Sequence, residues 1–328
     1  MKKQNIAIVT GGYSSELEIS LESVKTIYDH LSTEKYNKYI VLIEQNSWQV
    51  KIEDNLIPID KNDFSFNYNG VKITFECAYI TIHGTPGEDG KLQGYFDMIN
   101  MPYTTCKQNA SSLTFNKWAC NQVLLSNDFN CSKSMIFNNK NEQFDTKHIL
   151  SKLGLPCFVK PNDGGSSFGI TKVKTEEELL PAIQRAFEEG KEVMIEAFLD
   201  GIEVTCGCYF YNGEIHTLPL CEIVSQTDFF DYEAKYKGLS DEIVPARISE
   251  ELTSEVKNIS KKIYHLLGLK GITRTDFIIQ NNIPYIIEVN TTPGMSKESI
   301  IPKMVKSQND LELSQLLDWT IQEAIISN

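Results

Sequence analysis

IPYIIEVNTTPGM, residues 283–295, decides how this chain is read: a run that begins as a buried strand ends on Glu288 and Asn290, which strict alternation puts on one face. A buried carboxylate and a buried amide each need a partner. Upstream, GITRTDFIIQ (271–280) is a second β-rich run in which Arg274 and Asp276 share a face, and Asn281-Asn282 between the runs is a turn signal. In a hairpin, loop length fixes which residues oppose. An odd loop centred on Asn282 pairs Asp276 with Glu288 and Arg274 with Asn290, whereas a two-residue loop sets Asp276 opposite Ile287 and turns it to the other face.

With the odd loop, two carboxylates about 4 Å apart repel by roughly 4 kcal/mol at an effective dielectric of about 20, so the pair needs a proton or a cation. An oxygen-only ligand set with no Cys or His nearby suits Mg2+, completed by a substrate's phosphates. The competing reading is a solvated hairpin edge on which Arg274 neutralises one acid, and the hairpin alone leaves both open.

The 328 residues are enough for two or three domains of the usual size. At 41% hydrophobic and 23% charged the composition is that of a globular protein. A net charge of -13 argues against nucleic acid as a partner. No apolar run approaches a membrane span, and the opening MKKQNIAIVTGG has too short an apolar core for a signal peptide, so it reads as a first strand. The eight cysteines show neither CxxC nor zinc-like spacing and read as reduced thiols of a cytoplasmic protein. Cys206 and Cys208 alternate along an apolar strand and read as core.

Strand and helix signals alternate along the first hundred or so residues, as in an open α/β domain. Strands are expected at 5–10, 40–44, 71–75 and 77–82, with a helix between the first two whose apolar face is Leu17, Leu21, Val24, Tyr28 and Leu31. Ser15 and Glu18 have capping-box spacing, which leaves Glu16 as an acid suited to the first turn by the helix dipole alone. The strand at 77–82 runs into HGTPGEDGKLQG, a glycine-rich loop entering a helix, where open α/β sheets place their ligands.

The pattern changes beyond Tyr103. Lys117 lies on a helix, Lys160 ends a strand, and PNDGGSSFG follows it, a loop whose glycines and serines suit phosphate but which matches neither a Walker A loop nor a dinucleotide fingerprint. In VMIEAFLDGIEV, Glu196 and Glu203 bracket Phe198-Leu199, whose backbone suits an adenine edge with a carboxylate for ribose; for the segment by itself, exposed acids on a crossover are the preferred reading. Asn212-Gly213 is the best hairpin turn in the chain, and residues 225–247 form a long polar connection of the kind that serves as a lid.

Taken together, GGYSSELEIS, HGTPGEDGKLQG, KPNDGGSSFG, FFDYEAKY (229–236), RTDF at 274 and EVNTTPGMSKES resemble the D-alanine:D-alanine ligases of the ATP-grasp superfamily, over nearly the whole chain. The resemblance implies an α/β (α+β ATP-grasp) chain: an N-terminal open parallel-sheet domain (1–104), a central ATP-grasp subdomain (105–197) and a C-terminal one (198–328) with its lid at 225–247. ATP is then sandwiched between the last two. By the same resemblance, Lys117, Lys160 and Lys235 look like phosphate contacts, Ser166 and Ser167 like flap donors, and Glu196, Phe198, Leu199 and Glu203 like adenine and ribose contacts. Asp276, Glu288 and Asn290 match magnesium ligands, for two ions, with Mn2+ as a substitute. Arg274 and the Gly294 N–H would stabilise the oxyanion, Glu16 with His83 would hold the first D-alanine, and Ser299 the second; Tyr236 would close onto Ser166 and Glu16. The implied reaction passes through a D-alanyl phosphate and serves peptidoglycan in a bacterial cytoplasm. The implied assembly is a homodimer, with ATP and D-alanine as partners and neither nucleic acid nor membrane. Rival readings are a D-lactate or D-serine ligase, another carboxylate-amine ligase of the superfamily, or a silent nucleotide binder. The EAKY lid favours two D-alanines, and Phe230 departs from a tyrosine usual at that place.

Overall fold

The computed structural model describes residues 2–165, 169–225 and 240–327. The opening run, Gln4–Gly11, is the inner strand of a five-stranded sheet, paired in parallel with Tyr36–Ile43 on one side and Cys77–Ile80 on the other. Its last six residues are buried, as a parallel strand covered on both faces requires. Trp48–Ile52 and Asn55–Pro58 extend the sheet antiparallel, so it is parallel only at its centre. The run at 71–75 stays outside the sheet: Val71–Ile73 pairs with Phe66–Tyr68 across Asn69-Gly70, both at positive φ (50° and 77°).

The helix after the first strand, Leu17–His30, is phased differently from the expectation. Its buried residues are Ile19, Ser20, Ser23, Val24, Thr26 and Ile27, while Leu17 and Tyr28 are exposed. Small hydroxyl residues form the packed face because the helix lies close against the sheet, where Thr10 donates to the Ser20 carbonyl and the His83 backbone N–H donates to Ser20 Oγ. The Ser15–Glu18 capping box does not form; Ser14 Oγ accepts from the Glu16 N–H instead, and Glu16 itself occupies the N-cap position.

The middle of the chain forms a four-stranded antiparallel sheet ordered Thr171–Val173, Cys157–Pro161, Val193–Ala197, Ser134–Phe137. Helices Thr146–Leu153 and Glu176–Glu189 close one core over it, drawn from residues between Ile149 and Ile195. The last sheet is six-stranded: Ser240–Ile243, Cys221–Ser225, Ile202–Tyr211, Thr273–Gln280 and Ile283–Asn290 in order, with Glu214–Thr217 also paired to Ile202–Tyr211 across Asn212-Gly213. The expected connection at 225–247 therefore contains a strand, Ser240–Ile243; residues 226–239 lie outside the described residues. One face of this sheet carries helix Glu250–Leu266 and buries Val204, Cys206 and Cys208. Against the other lie Ile300–Lys306 and Leu313–Ile326, in a core that also takes Ile6, Ile8, Val24, Ile27 and Tyr79 from the N-terminal sheet and helix. All eight cysteines are free and buried. No helix among the described residues is long and apolar enough to cross a membrane.

The hairpin at 273–290 corrects the loop argument while keeping its outcome. Gln280 pairs with Ile283 across a two-residue turn, Asn281-Asn282, both at positive φ (54° and 61°). That turn alone sets Asp276 opposite Ile287. A bulge between Asp276 and Phe277 inserts Ile287 as an extra residue, so Asp276 faces Glu288 and Arg274 faces Asn290. Bulges re-aim side chains in this way beside functional sites.

Candidate active site

Two connected cavities meet at this hairpin. The larger, about 500 Å³, lies between the four-stranded and six-stranded sheets; Phe158, Ile170, Phe198, Ile202, Ile278 and Ile287 form its apolar wall. Ile287, the bulged residue, thus supplies the apolar wall while Glu288 turns toward the charged end. Lys172 lies over the Phe198 ring at 4.1 Å from its centroid. Lys160 is 5% exposed and its Nζ sits 2.7 Å from Glu196 Oε2. Glu196 Oε1 is buried with no hydrogen-bond partner among the described residues, an acceptor left over beside the cavity wall. Glu203 and Thr205 point to the same side of their strand and line the same space.

The smaller cavity, about 110 Å³, lies between the N-terminal sheet and the turn after Asn290, and Glu16, His83, Glu88, Arg274, Gly294 and Ser299 line it. Lys117, Gly164, Gly165, Arg274 and Glu288 belong to both walls. Lys117 begins helix Lys117–Leu125, whose N-cap Asn116 accepts from the Ala119 N–H; its Nζ donates to the Gly164 carbonyl and lies 3.6 Å from Glu288 Oε2. Gly165 lies close to Glu16: a Cβ there would lie 2.5 Å from Glu16 Oε1 and would push that carboxylate aside. The first serine of the expected flap, Ser166, follows directly, but Ser166 and Ser167 lie outside the described residues, as do Phe230, Lys235 and Tyr236.

At the junction Asp276 is heavily satisfied. Arg274 donates to both its oxygens at 2.8 Å, Thr205 Oγ1 donates to Oδ1, and Asn290 Nδ2 lies 3.0 Å from Oδ2 and 3.4 Å from Glu288 Oε1. The two ends of an amide are assigned from such contacts, and exchanging them brings Asn290 Oδ1 to the same point. Two opposed carboxylates and an amide oxygen make an oxygen-only set that fits Mg2+ once phosphate oxygens complete it. Among the described residues no cluster of three or more His, Cys, Asp or Glu side chains could hold a metal ion, so the set at the junction has only two carboxylates.

Burial sets the protonation of the smaller cavity. His83 is buried, its Nε2 3.2 Å from Ser23 Oγ; burial first, and then the Arg274 charge, push its pKa down to about 4 against a backbone hydrogen bond with Thr292. His83 therefore bridges the N-terminal helix and the turn after the hairpin as a neutral ring. Ser23 Oγ also accepts from the Met295 N–H at 3.2 Å. Burial, followed by the Glu16 carboxylate, pushes Glu88 up to about 8, although the Gly84 N–H donates to it at 2.7 Å. Gly294 is pinned against Ser299: a Cβ on it would lie 2.7 Å from Ser299 Oγ, which pairs with Ser296 Oγ at 2.8 Å.

Sequence reasoning assigned no role to Glu88, Thr205 or Ile287. Thr205 was accessible, two residues beyond Glu203 on one strand face; Ile287 becomes visible only with the bulge.

Family models described as D-ala D-ala ligase N-terminus and D-ala D-ala ligase C-terminus match residues 5–106 and 125–322. A D-alanine--D-alanine ligase of Bacteroides fragilis is 51% identical over 93% of this chain and 94% of its own length, and one of Parabacteroides distasonis 50% identical over 98% of each. Among solved structures, D-alanyl-alanine synthetase A from Vibrio cholerae aligns with TM-score 0.88 at 27% identity over 99% of both chains. The VanG D-Ala:D-Ser ligase from Enterococcus faecalis aligns with TM-score 0.86 at 31% identity, over 98% of this chain and 99% of the other.

Proposed function

This chain belongs to the D-alanine–D-alanine ligase family, with the ATP-grasp fold, and on that premise we propose how its residues divide the ATP-dependent joining of two D-alanines. The domain boundaries proposed are 1–104, 105–197 and 198–328, with a lid over 225–247. ATP occupies the larger cavity, its base among Phe158, Phe198, Ile278 and Ile287. The observation that carries this placement is Glu196 Oε1, a buried acceptor without a partner, which suits the amino group of adenine. Phe198 and Leu199 offer backbone groups to the same edge, and Glu203 takes the ribose hydroxyls.

The phosphates then run toward the junction, where Lys160 and Lys117 neutralise them. Asp276, Glu288 and Asn290 would hold Mg2+, two ions with Mn2+ able to substitute, and a bound cation supplies charge neutralisation to the phosphoryl group in transfer. Ser166, Ser167 and Lys235 are proposed as further phosphate contacts.

In the smaller cavity Glu16 holds the ammonium of the first D-alanine, beside neutral His83 and Glu88. Its carboxylate reaches the junction, attacks the γ-phosphoryl group and becomes D-alanyl phosphate with release of ADP. The amine of the second D-alanine, gripped through its carboxylate by Ser299, attacks the acyl carbon; phosphate leaves and the peptide bond forms. Arg274 and the Gly294 N–H face the oxygen on which negative charge develops, so the site works by placement and charge stabilisation. Tyr236, closing onto Ser166 and Glu16, is proposed to complete the cover. The product serves peptidoglycan synthesis in the cytoplasm, and the enzyme acts as a homodimer.

Mass spectrometry after incubation with ATP, Mg2+ and D-alanine, with D-lactate and D-serine competing, tests the reading. ADP, phosphate and D-alanyl-D-alanine as dominant products support it. A dominant mixed product with D-serine or D-lactate overturns the acceptor assignment.

A further inference from the structure

Glu242, in the 225–247 segment but given no role of its own, lines the smaller cavity beside Arg274, Ser296 and Ser299. Its side chain is 8% exposed, and its partner is Lys303 Nζ at 2.9 Å. A buried carboxylate needs such a partner, and removing one member of the pair leaves a charge uncompensated. Glu298, itself 87% exposed, lies 3.6 Å from Lys303 and is the looser second contact.

The two members stand on different elements. Glu242 sits on strand Ser240–Ile243, opposite Ile223 in the six-stranded sheet. Lys303 sits on helix Ile300–Lys306, one turn beyond Ser299, and its backbone N–H donates to the Ser299 carbonyl at 3.4 Å. The ion pair therefore ties the sheet edge to the turn that carries Ser299, whose hydroxyl is already confined by Ser296 and Gly294.

We propose that Glu242 and Lys303 are positioning residues for the acceptor amino acid: their ion pair fixes the height of the Ser299 turn above the sheet and so sets how tightly the acceptor carboxylate is gripped. The inference rests on the reading of Ser299 as the acceptor contact. It bears on one of the two D-alanine sites, because Lys303 follows Ser299 by one helical turn.

The test is steady-state kinetics against D-alanine, resolved into donor-site and acceptor-site half-saturation constants, for Glu242→Gln, Lys303→Gln, the charge-swapped double variant Glu242→Lys/Lys303→Glu, and Ser299→Ala. Each single neutralisation is expected to raise the acceptor constant about tenfold with the donor constant held within about twofold, and the swap to recover most of that loss. Donor and acceptor constants moving together, an unchanged acceptor constant, or a swap no better than the singles overturns the inference. An acceptor constant insensitive to Ser299→Ala overturns the acceptor-site reading and this inference with it; a sensitive Ser299→Ala beside a silent Glu242→Gln overturns this inference alone.

Discussion

The smaller cavity, proposed for the amino acids, lies between segments that share one core, whereas the larger, proposed for the nucleotide, lies under a sheet that keeps a core of its own. Ile6, Val24 and Tyr79 pack with Ile301, Leu316 and Ile321 across the first, and Tyr36 and Lys35 hydrogen-bond Asp318 over the same boundary. Ile149, Val159, Ile183 and Ile195 pack only among residues of the central unit. The four-stranded sheet meets the start of helix Lys117–Leu125 through polar contacts: Asn162 accepts from the Lys117 and Trp118 N–H groups at 3.1 and 2.9 Å. The cavity proposed for D-alanine is thus built into the shared core, and the one proposed for ATP is closed on one side by the four-stranded sheet, which has a core of its own. Glu288 and Lys117 stand where the two meet.

The largest effect expected tests that meeting point. Glu288→Gln should lower turnover about a thousandfold, close to 4 kcal/mol of transition-state stabilisation, with thermal melting unchanged. Turnover kept within a few-fold of the parent, on the scale of an incidental surface change, overturns the metal role proposed for Glu288. Next in size, Leu316→Ala and Ile183→Ala should each cost about 2–5 kcal/mol, the usual range for a buried large-to-small change. Calorimetry separates them: Leu316→Ala should shift the main transition, and Ile183→Ala should split off an earlier one belonging to the central unit. One common shift for both variants breaks the comparison.

The smallest effect is in pH dependence. His83 is lowered from an ordinary 6.5 to about 4, so its contribution to stability is present above 6.5 and is lost as pH falls toward 4. Glu88 is raised from 4.5 to about 8, so its contribution is present below 4.5 and is lost as pH rises through 8. Glu88→Gln should therefore flatten the fall in melting temperature between those pH values and leave the acid limb intact. Glu16, Lys117 and Glu288 supply the charges that act on Glu88, and an unaltered alkaline limb would show that they, and not Glu88, govern it.

Much of this architecture was legible in the sequence because polar residues interrupt apolar runs at few places. Glu288 and Asn290 at the end of a strand, Lys160 before a Gly-Gly pair and Glu196 within an apolar strand all line the two cavities. The register of the hairpin was reached through the wrong loop: the turn is the two-residue type that Asn281-Asn282 favours, and the bulge at Ile287 restores the pairing. The clue was the doublet Ile286-Ile287, which breaks the apolar-polar alternation just before Glu288. The phase of the first helix misled because hydrophobicity ranks Leu17 and Tyr28 above Ser20 and Ser23, while close approach to the sheet favours small side chains. The 225–247 segment stood out in the sequence, but nothing in it singled out Glu242, whose partner Lys303 lies 61 residues away.

Hydrogen exchange of the ligand-free protein, read segment by segment, tests the unequal construction most directly. Strand Gln4–Gly11 and helix Leu313–Ile326 should open with one common free energy, and strands Cys157–Pro161 and Val193–Ala197 with a separate, lower one. Strand Gln4–Gly11 opening apart from the C-terminal helix, or the central strands opening only together with both, would contradict the account.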